Sequence, residues 1–233
     1  MIDYLDKGKG EVVVWLHGWA KGYSKEKYQG LVDKLALNFR VVALDFPGFG
    51  GSSLPPKPWG VGDFADAMVE FIKKLGIEEY VLAGHSFGGR VAIKMASNKK
   101  NTIKKLILVD SAGIERKGVM VKLRLVLAKL VPARLRAVVG GNLGAKDYRE
   151  TMGVMRESMK LVVGENLEAD LAKVNVPTLL VWGEKDGLTP LWQGKLMNRL
   201  IAGSKLVVVS GANHRLPLDE VARLAKEMVK FME

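Results

Sequence analysis

Short runs of β-branched and aliphatic residues recur along the chain, separated by longer stretches of helical periodicity, and this alternation most constrains what the chain can fold into. The runs fall at 11–16, 40–44, 80–83, 105–109, 178–182 and 205–209, with a weaker edge strand near 2–5. Several, V-V-V-W-L and L-I-L-V among them, are apolar at every position. Such runs belong to strands covered on both faces, and strands that alternate with helices pair in parallel through crossover connections. Helical stretches are predicted at about 25–37, 63–75, 87–97 and 219–232. The expected class is therefore α/β, a mostly parallel sheet flanked by helices.

The rhythm breaks between Gly113 and Leu167. No strand pattern is seen there, basic helical segments take over, and Pro132 and the G-G-N-L-G stretch at 140–144 divide them into short helices. Residues 1–112 and 168–233 are expected to form the core, and 113–167 a helical cap inserted into it. Within the insertion, 119–131 is apolar on most sides, broken by Lys122, Arg124 and Lys129. At 13 residues it is too short to span a bilayer. It reads as a lid helix over the active site, with a lipid-facing surface as the second reading.

With 233 residues and 48% apolar content, the chain can bury one sizeable core without staples. It has no cysteine, which excludes disulfides and thiolate metal sites and points to the cytoplasm. The opening M-I-D-Y-L-D-K lacks an apolar stretch behind a basic head, so it does not read as a secretory signal. A net charge of +11 would suit a polyanionic partner. Lys and Arg are instead scattered at helical spacings as solvated surface, not gathered with stacking aromatics, so no nucleic-acid partner is expected.

The sequence G-H-S-F-G-G, Gly84 to Gly89, lies between the strand Y-V-L-A and a helix beginning near Phe87. A nucleophilic hydroxyl must be exposed at a strand's end. A sharp strand-to-helix turn holds it there, provided the residues two before and two after are small. Gly84 and Gly88 meet that need, and Ser86 is the candidate nucleophile. Upstream, L-H-G-W, Leu16 to Trp19, directly follows the strand V-V-V-W. A tetrahedral oxyanion needs two preorganised N–H donors, one from the residue after the nucleophile and one from the loop after an earlier strand. The backbone N–H groups of Phe87 and Trp19 are the candidates.

A serine hydroxyl also needs a base to take its proton and a buried carboxylate to fix that base's tautomer. W-G-E-K-D-G places Asp186 in the turn after T-L-L-V-W, and S-G-A-N-H places His214 after K-L-V-V-V. The three histidines are His17, His85 and His214. His17 is expected to order its loop, His85 to point away from the elbow and pack, and His214 alone to act as the base. Asp110, ending its strand in L-V-D-S-A-G, competes with Asp186 for the acid's place. Asp45 is expected to brace the glycine-rich loop that follows it.

Taken in order, H-G-W, L-D-F-P-G-F-G-G-S at 44–52, G-H-S-F-G-G, G-E-K-D and G-A-N-H resemble the α/β-hydrolase superfamily over nearly the whole chain. The resemblance implies a parallel-rich sheet and a helical cap after the family's sixth strand, where 113–167 lies. It also implies the chain order nucleophile, acid, base, met by Ser86, Asp186 and His214. The chain departs from the family in a very short N-terminus, with little material for the first antiparallel strand pair. Dehalogenases and epoxide hydrolases of this fold carry aspartate at the elbow, whereas serine implies an acyl-enzyme. The expected activity is hydrolysis of a small-molecule carboxylic ester, without metal or organic cofactor. Hydrolysis of a carbon–carbon bond in a vinylogous diketone, or perhydrolase or amidase activity, would use the same triad. A homologue that has lost catalysis would bind a small ligand instead. A monomer or small homo-oligomer without membrane contact is expected, with substrate-binding residues drawn from the cap.

Overall fold

The computed structural model describes residues 1–20, 22–98, 102–114 and 151–233. Strands β1 (Tyr4–Lys7), β2 (Val12–Leu16), β3 (Arg40–Leu44), β4 (Tyr80–His85), β5 (Ile103–Val109), β6 (Thr178–Gly183) and β7 (Lys205–Val209) form one sheet in the order β1-β3-β2-β4-β5-β6-β7. β1 runs antiparallel to β3, and the other pairs are parallel. β1 is thus the one antiparallel strand among the described residues. It lies two residues later than the expected 2–5, because Asp3 is tied instead to the loop after β3 through its N–H to Ser52 Oγ and its carbonyl to Asp45 N–H.

Among the described residues the helices are α1 (Gln29–Leu35), α2 (Val61–Lys74), α3 (Phe87–Ala96), α4 (Gly153–Gly164), α5 (Glu168–Leu171), α6 (Leu191–Leu200), α7 (Leu216–Asp219) and α8 (Val221–Met232). The helix expected from residue 25 begins as a 3-10 turn, Lys25–Tyr28, where Asp45 holds the Lys25 amide. The one expected at 219–232 is preceded by α7, which starts at Leu216 and Pro217 and breaks at Glu220, whose φ of −122° is not helical.

Side chains alternate across the strands, so the sheet buries both faces. Val14, Leu16, Val42, Leu44, Leu82, Leu108 and Trp182 pack with residues of α2, α3 and α6. Val13, Trp15, Val41, Ala43, Val81, Ile107 and Val181 pack with α1, α7 and α8 on the other side. Full burial of each Val, Leu or Ile among them stabilises the fold by about 1.5–3 kcal/mol. In α8 the stripe Leu224, Ala225, Met228 and Met232 seals that second layer.

β2 lies between β3 and β4, so successive crossovers leave it in opposite directions. The loops after β2 and β4 therefore open a crevice at the carboxyl ends of the strands. Leu16 pairs with Gly84, and Gly84 with Leu108, which brings H-G-W, the elbow and the end of β5 to one level. Of the expected cap at 113–167, the described part includes α4, whose Met155 and Val162 are buried against the core. The expected lid helix at 119–131, Pro132 and the 140–144 break lie outside the described residues.

Candidate active site

Ser86 sits between β4 and α3 with φ 53° and ψ −111°, a backbone conformation rarely adopted by a non-glycine residue. The surrounding glycines make it attainable. A Cβ on Gly84 would stand 2.4 Å from the Gly88 carbonyl oxygen, and one on Gly88 would stand 2.2 Å from that of Leu16. Both obstacles are backbone and cannot swing aside. Gly88→Ala is accordingly expected to destabilise the protein by about 3 kcal/mol. Urea unfolding measures this, and an unchanged midpoint would show that the elbow relaxes freely.

The turn aims Ser86 Oγ at His214, 3.0 Å from Nε2. On the other side of the ring, Nδ1 lies 2.8 Å from Asp186 Oδ2. The Asp186 Oδ1 accepts the N–H groups of Leu188 and Thr189 at 2.8 and 2.9 Å, and Thr189 Oγ1 lies 2.7 Å from Oδ2. Burial pushes this carboxyl upward, but the hydrogen bonds from His214 and Thr189 outweigh it and hold Asp186 below the usual carboxylate range. An ionised Asp186 accepts the hydrogen bond of Nδ1–H and so keeps the proton on Nδ1, which leaves Nε2 bare and able to accept the Ser86 proton. Thr189 is a partner that motif reading missed. Its signal was D-G-L-T, an aspartate whose side chain caps the N–H groups two and three residues on.

Asp110 is brought close but held differently. Its φ is 43°, its side chain is buried, and Oδ1 accepts the Gly183 N–H at 2.7 Å. Oδ2 meets no donor among the described residues. Burial first, and the neighbouring charge of Asp186 after it, push its pKa up to about 8. Its carboxyl is thus held well above the usual carboxylate range, and through the Gly183 N–H it clamps the ends of β5 and β6.

Trp19 and Phe87 stand side by side, ring centroids 4.9 Å apart and edge to face. Phe87 is the first residue of α3, so its N–H has no acceptor within the helix and sits at the positive end of the dipole. His17 ties the loop of Trp19 to the loop after β3. Its Nε2 accepts the Phe46 N–H at 3.1 Å, and its Nδ1–H donates to Gly18 O at 2.7 Å. Burial lowers its pKa to about 4, so it stays neutral. Asp45 accepts the Lys25 amide at 2.6 Å, the Lys25 ammonium at 3.0 Å and the Gly51 N–H at 3.2 Å. His85 departs from the expected packing role: both ring nitrogens have polar partners, Tyr28 Oη and the His214 carbonyl oxygen.

A cavity of about 240 Å³ is lined by Ser86 and His214 together with Trp19, Phe87, Met159, Val162 and Leu188. Two groups could in principle ligate a cation. His85, Asp110 and His214 bring donor atoms within 4.8 Å of one another, but each imidazole nitrogen there already has a hydrogen-bond partner. Asp3, Glu26 and Asp45 converge on the Lys25 ammonium at 2.7, 2.7 and 3.0 Å, which fills that place.

A mostly parallel seven-stranded sheet with flanking helices is the α/β-hydrolase architecture. Residues 13–227 match the alpha/beta hydrolase family, and the chain belongs to it. It is 26% identical to the AB hydrolase superfamily protein YisY of Bacillus subtilis, over 97% of this chain and 93% of that protein. It is 25% identical to a pimeloyl-(acyl-carrier protein) methyl ester esterase of Nitrosomonas europaea, over 89% of this chain and 90% of that one. The solved structure of the esterase EaEST from Exiguobacterium antarcticum superposes with a TM-score of 0.78 at 25% identity, covering 99% of this chain and 94% of that one. Among the described residues, no helix is long and apolar enough to cross a membrane.

Proposed function

We propose that the protein is a serine esterase that cleaves small carboxylic esters through an acyl-enzyme on Ser86. The observation that carries this reading is the line from Ser86 Oγ through His214 to Asp186, with contacts of 3.0 and 2.8 Å. Ser86 Oγ bonds to the ester carbonyl carbon as His214 Nε2 takes its proton, and Asp186 steadies the resulting imidazolium. The carbonyl oxygen becomes an anion facing the N–H groups of Trp19 and Phe87, each such donor contributing about 3 kcal/mol. The ester C–O bond then breaks, and His214 returns the proton to the departing alcohol. A water deprotonated by His214 attacks the acyl carbon, releasing the acid and restoring Ser86.

The apolar walls Met159, Val162 and Leu188 suit an uncharged acyl chain. Two of the relatives, a pimeloyl-(acyl-carrier protein) methyl ester esterase and the esterase EaEST, support an ester as the bond broken. p-Nitrophenyl acetate and butyrate are expected to be turned over readily, as followed by nitrophenolate absorbance. Turnover of a dienoate diketone with no activity on any short ester would replace this reading with carbon–carbon bond hydrolysis.

A further inference from the structure

His85 adjoins the nucleophile, yet the ester chemistry gives it nothing to do. It is 1% exposed, and its ring centroid lies 5.0 Å from that of His214. Nε2 is 2.9 Å from the His214 carbonyl oxygen, and Nδ1 is 3.0 Å from Tyr28 Oη. A carbonyl oxygen can only accept, so Nε2 carries hydrogen. Burial lowers the pKa of the ring to about 3, so it is neutral and Nδ1 keeps its lone pair. Tyr28 must then donate its hydroxyl proton to Nδ1, while the same oxygen accepts the Gly18 N–H at 3.1 Å. Complete burial of Tyr28 pushes its own pKa up and keeps that proton in place. Every group has one direction: Gly18 N–H to Tyr28, Tyr28 O–H to His85, and His85 N–H to the His214 carbonyl.

The two ends of this chain are the two loops that flank Ser86. Gly18 precedes Trp19, and a Cβ on Gly18 would stand 3.0 Å from His85 Nδ1 and 3.4 Å from Ser86 Cβ, so the loop rests directly on the His85 ring. We infer that Tyr28 and His85 are positioning residues, a one-directional hydrogen-bonded strut that sets the spacing between the oxyanion loop and the main chain of His214. The inference rests on the roles proposed for His214 and Trp19. Small displacements of either loop cost most where contacts tighten, in the transition state, so the strut acts on kcat more than on KM.

Tyr28→Phe and His85→Ala are each expected to lower kcat for p-nitrophenyl butyrate about 10-fold to 100-fold, with KM changed less than about threefold. His85→Gln, whose amide can still donate to the His214 carbonyl, should recover most of that loss. Because the two residues act through one another, the double variant Tyr28→Phe/His85→Ala should be no slower than His85→Ala alone. Nitrogen-15 NMR of the three histidines in the unaltered protein gives a reading that survives any folding failure of the variants. His85 is expected to be neutral with its proton on Nε2 throughout about pH 5 to 9. A proton on Nδ1, or losses that multiply in the double variant, would overturn the strut. Full activity in His85→Ala beside an inactive Ser86→Ala would reject the strut alone, whereas an active Ser86→Ala would reject the proposed function.

Discussion

Ser86→Ala is expected to lower kcat for p-nitrophenyl butyrate by roughly 10⁶-fold while leaving the fold intact. The size follows from what is removed. Without Oγ no acyl-enzyme forms, and His214, however well oriented, has no hydroxyl to activate. The proposed oxyanion donors, the N–H groups of Trp19 and Phe87, and the cavity remain, and they account for the residual rate above water that such variants keep. The fold survives because the strained turn at residue 86 is held by Gly84 and Gly88, not by the hydroxyl. A fluorophosphonate should therefore label the unaltered protein on Ser86 and leave Ser86→Ala unlabelled. Folded, unaltered protein that takes no label would mean that the chain is a ligand-binding relative that has lost catalysis.

How much of this was legible in the sequence depended on how local each cause is. The strands were legible because β2, β4 and β6 are nearly wholly buried and therefore apolar at successive positions. The elbow was legible because its glycines are demanded by backbone atoms only a few residues away or on the next strand. α6 was missed. Its sequence L-W-Q-G-K-L-M-N-R-L has a glycine in mid-helix, which normally argues against a helix. Gly194 is there because the Trp182 ring lies 2.7 Å from where its Cβ would be, a constraint that only the packed structure contains. The burial of Lys25 is equally non-local. In S-K-E-K-Y it stands among other charges, yet it is 7% exposed. Its ammonium fills the gap between Asp3, Glu26 and Asp45. His85 has partners 57 and 129 residues distant, and neither distance leaves a periodic mark in the sequence.

Asp110 and Asp186 both follow strands, and sequence could rank them only by position; variants of the two should separate them by a wide margin. Asp186→Asn is expected to lower kcat about 10⁴-fold, since an amide facing Nδ1 favours the wrong tautomer and cannot balance the imidazolium. Asp110→Asn is expected to cost less than about tenfold, because its Oδ1 contact to the Gly183 N–H can be kept by an amide oxygen. The two acids should also leave opposite marks on stability. Asp186 is held below its unfolded value, so its contribution is present above that value and lost as pH falls through the folded one. Asp110 titrates near 8 in the folded protein, against about 3.9 in an unfolded chain. Its contribution is complete below the unfolded value and is lost as pH rises through 8. Asp110→Asn has no such titration, so its urea midpoint should gain on that of the unaltered protein as pH rises from about 4 to about 8. A parallel pH dependence for the two proteins would show that Asp110 is ionised in the fold. Loss of turnover in Asp110→Asn with turnover retained in Asp186→Asn would transfer the acid's role to Asp110.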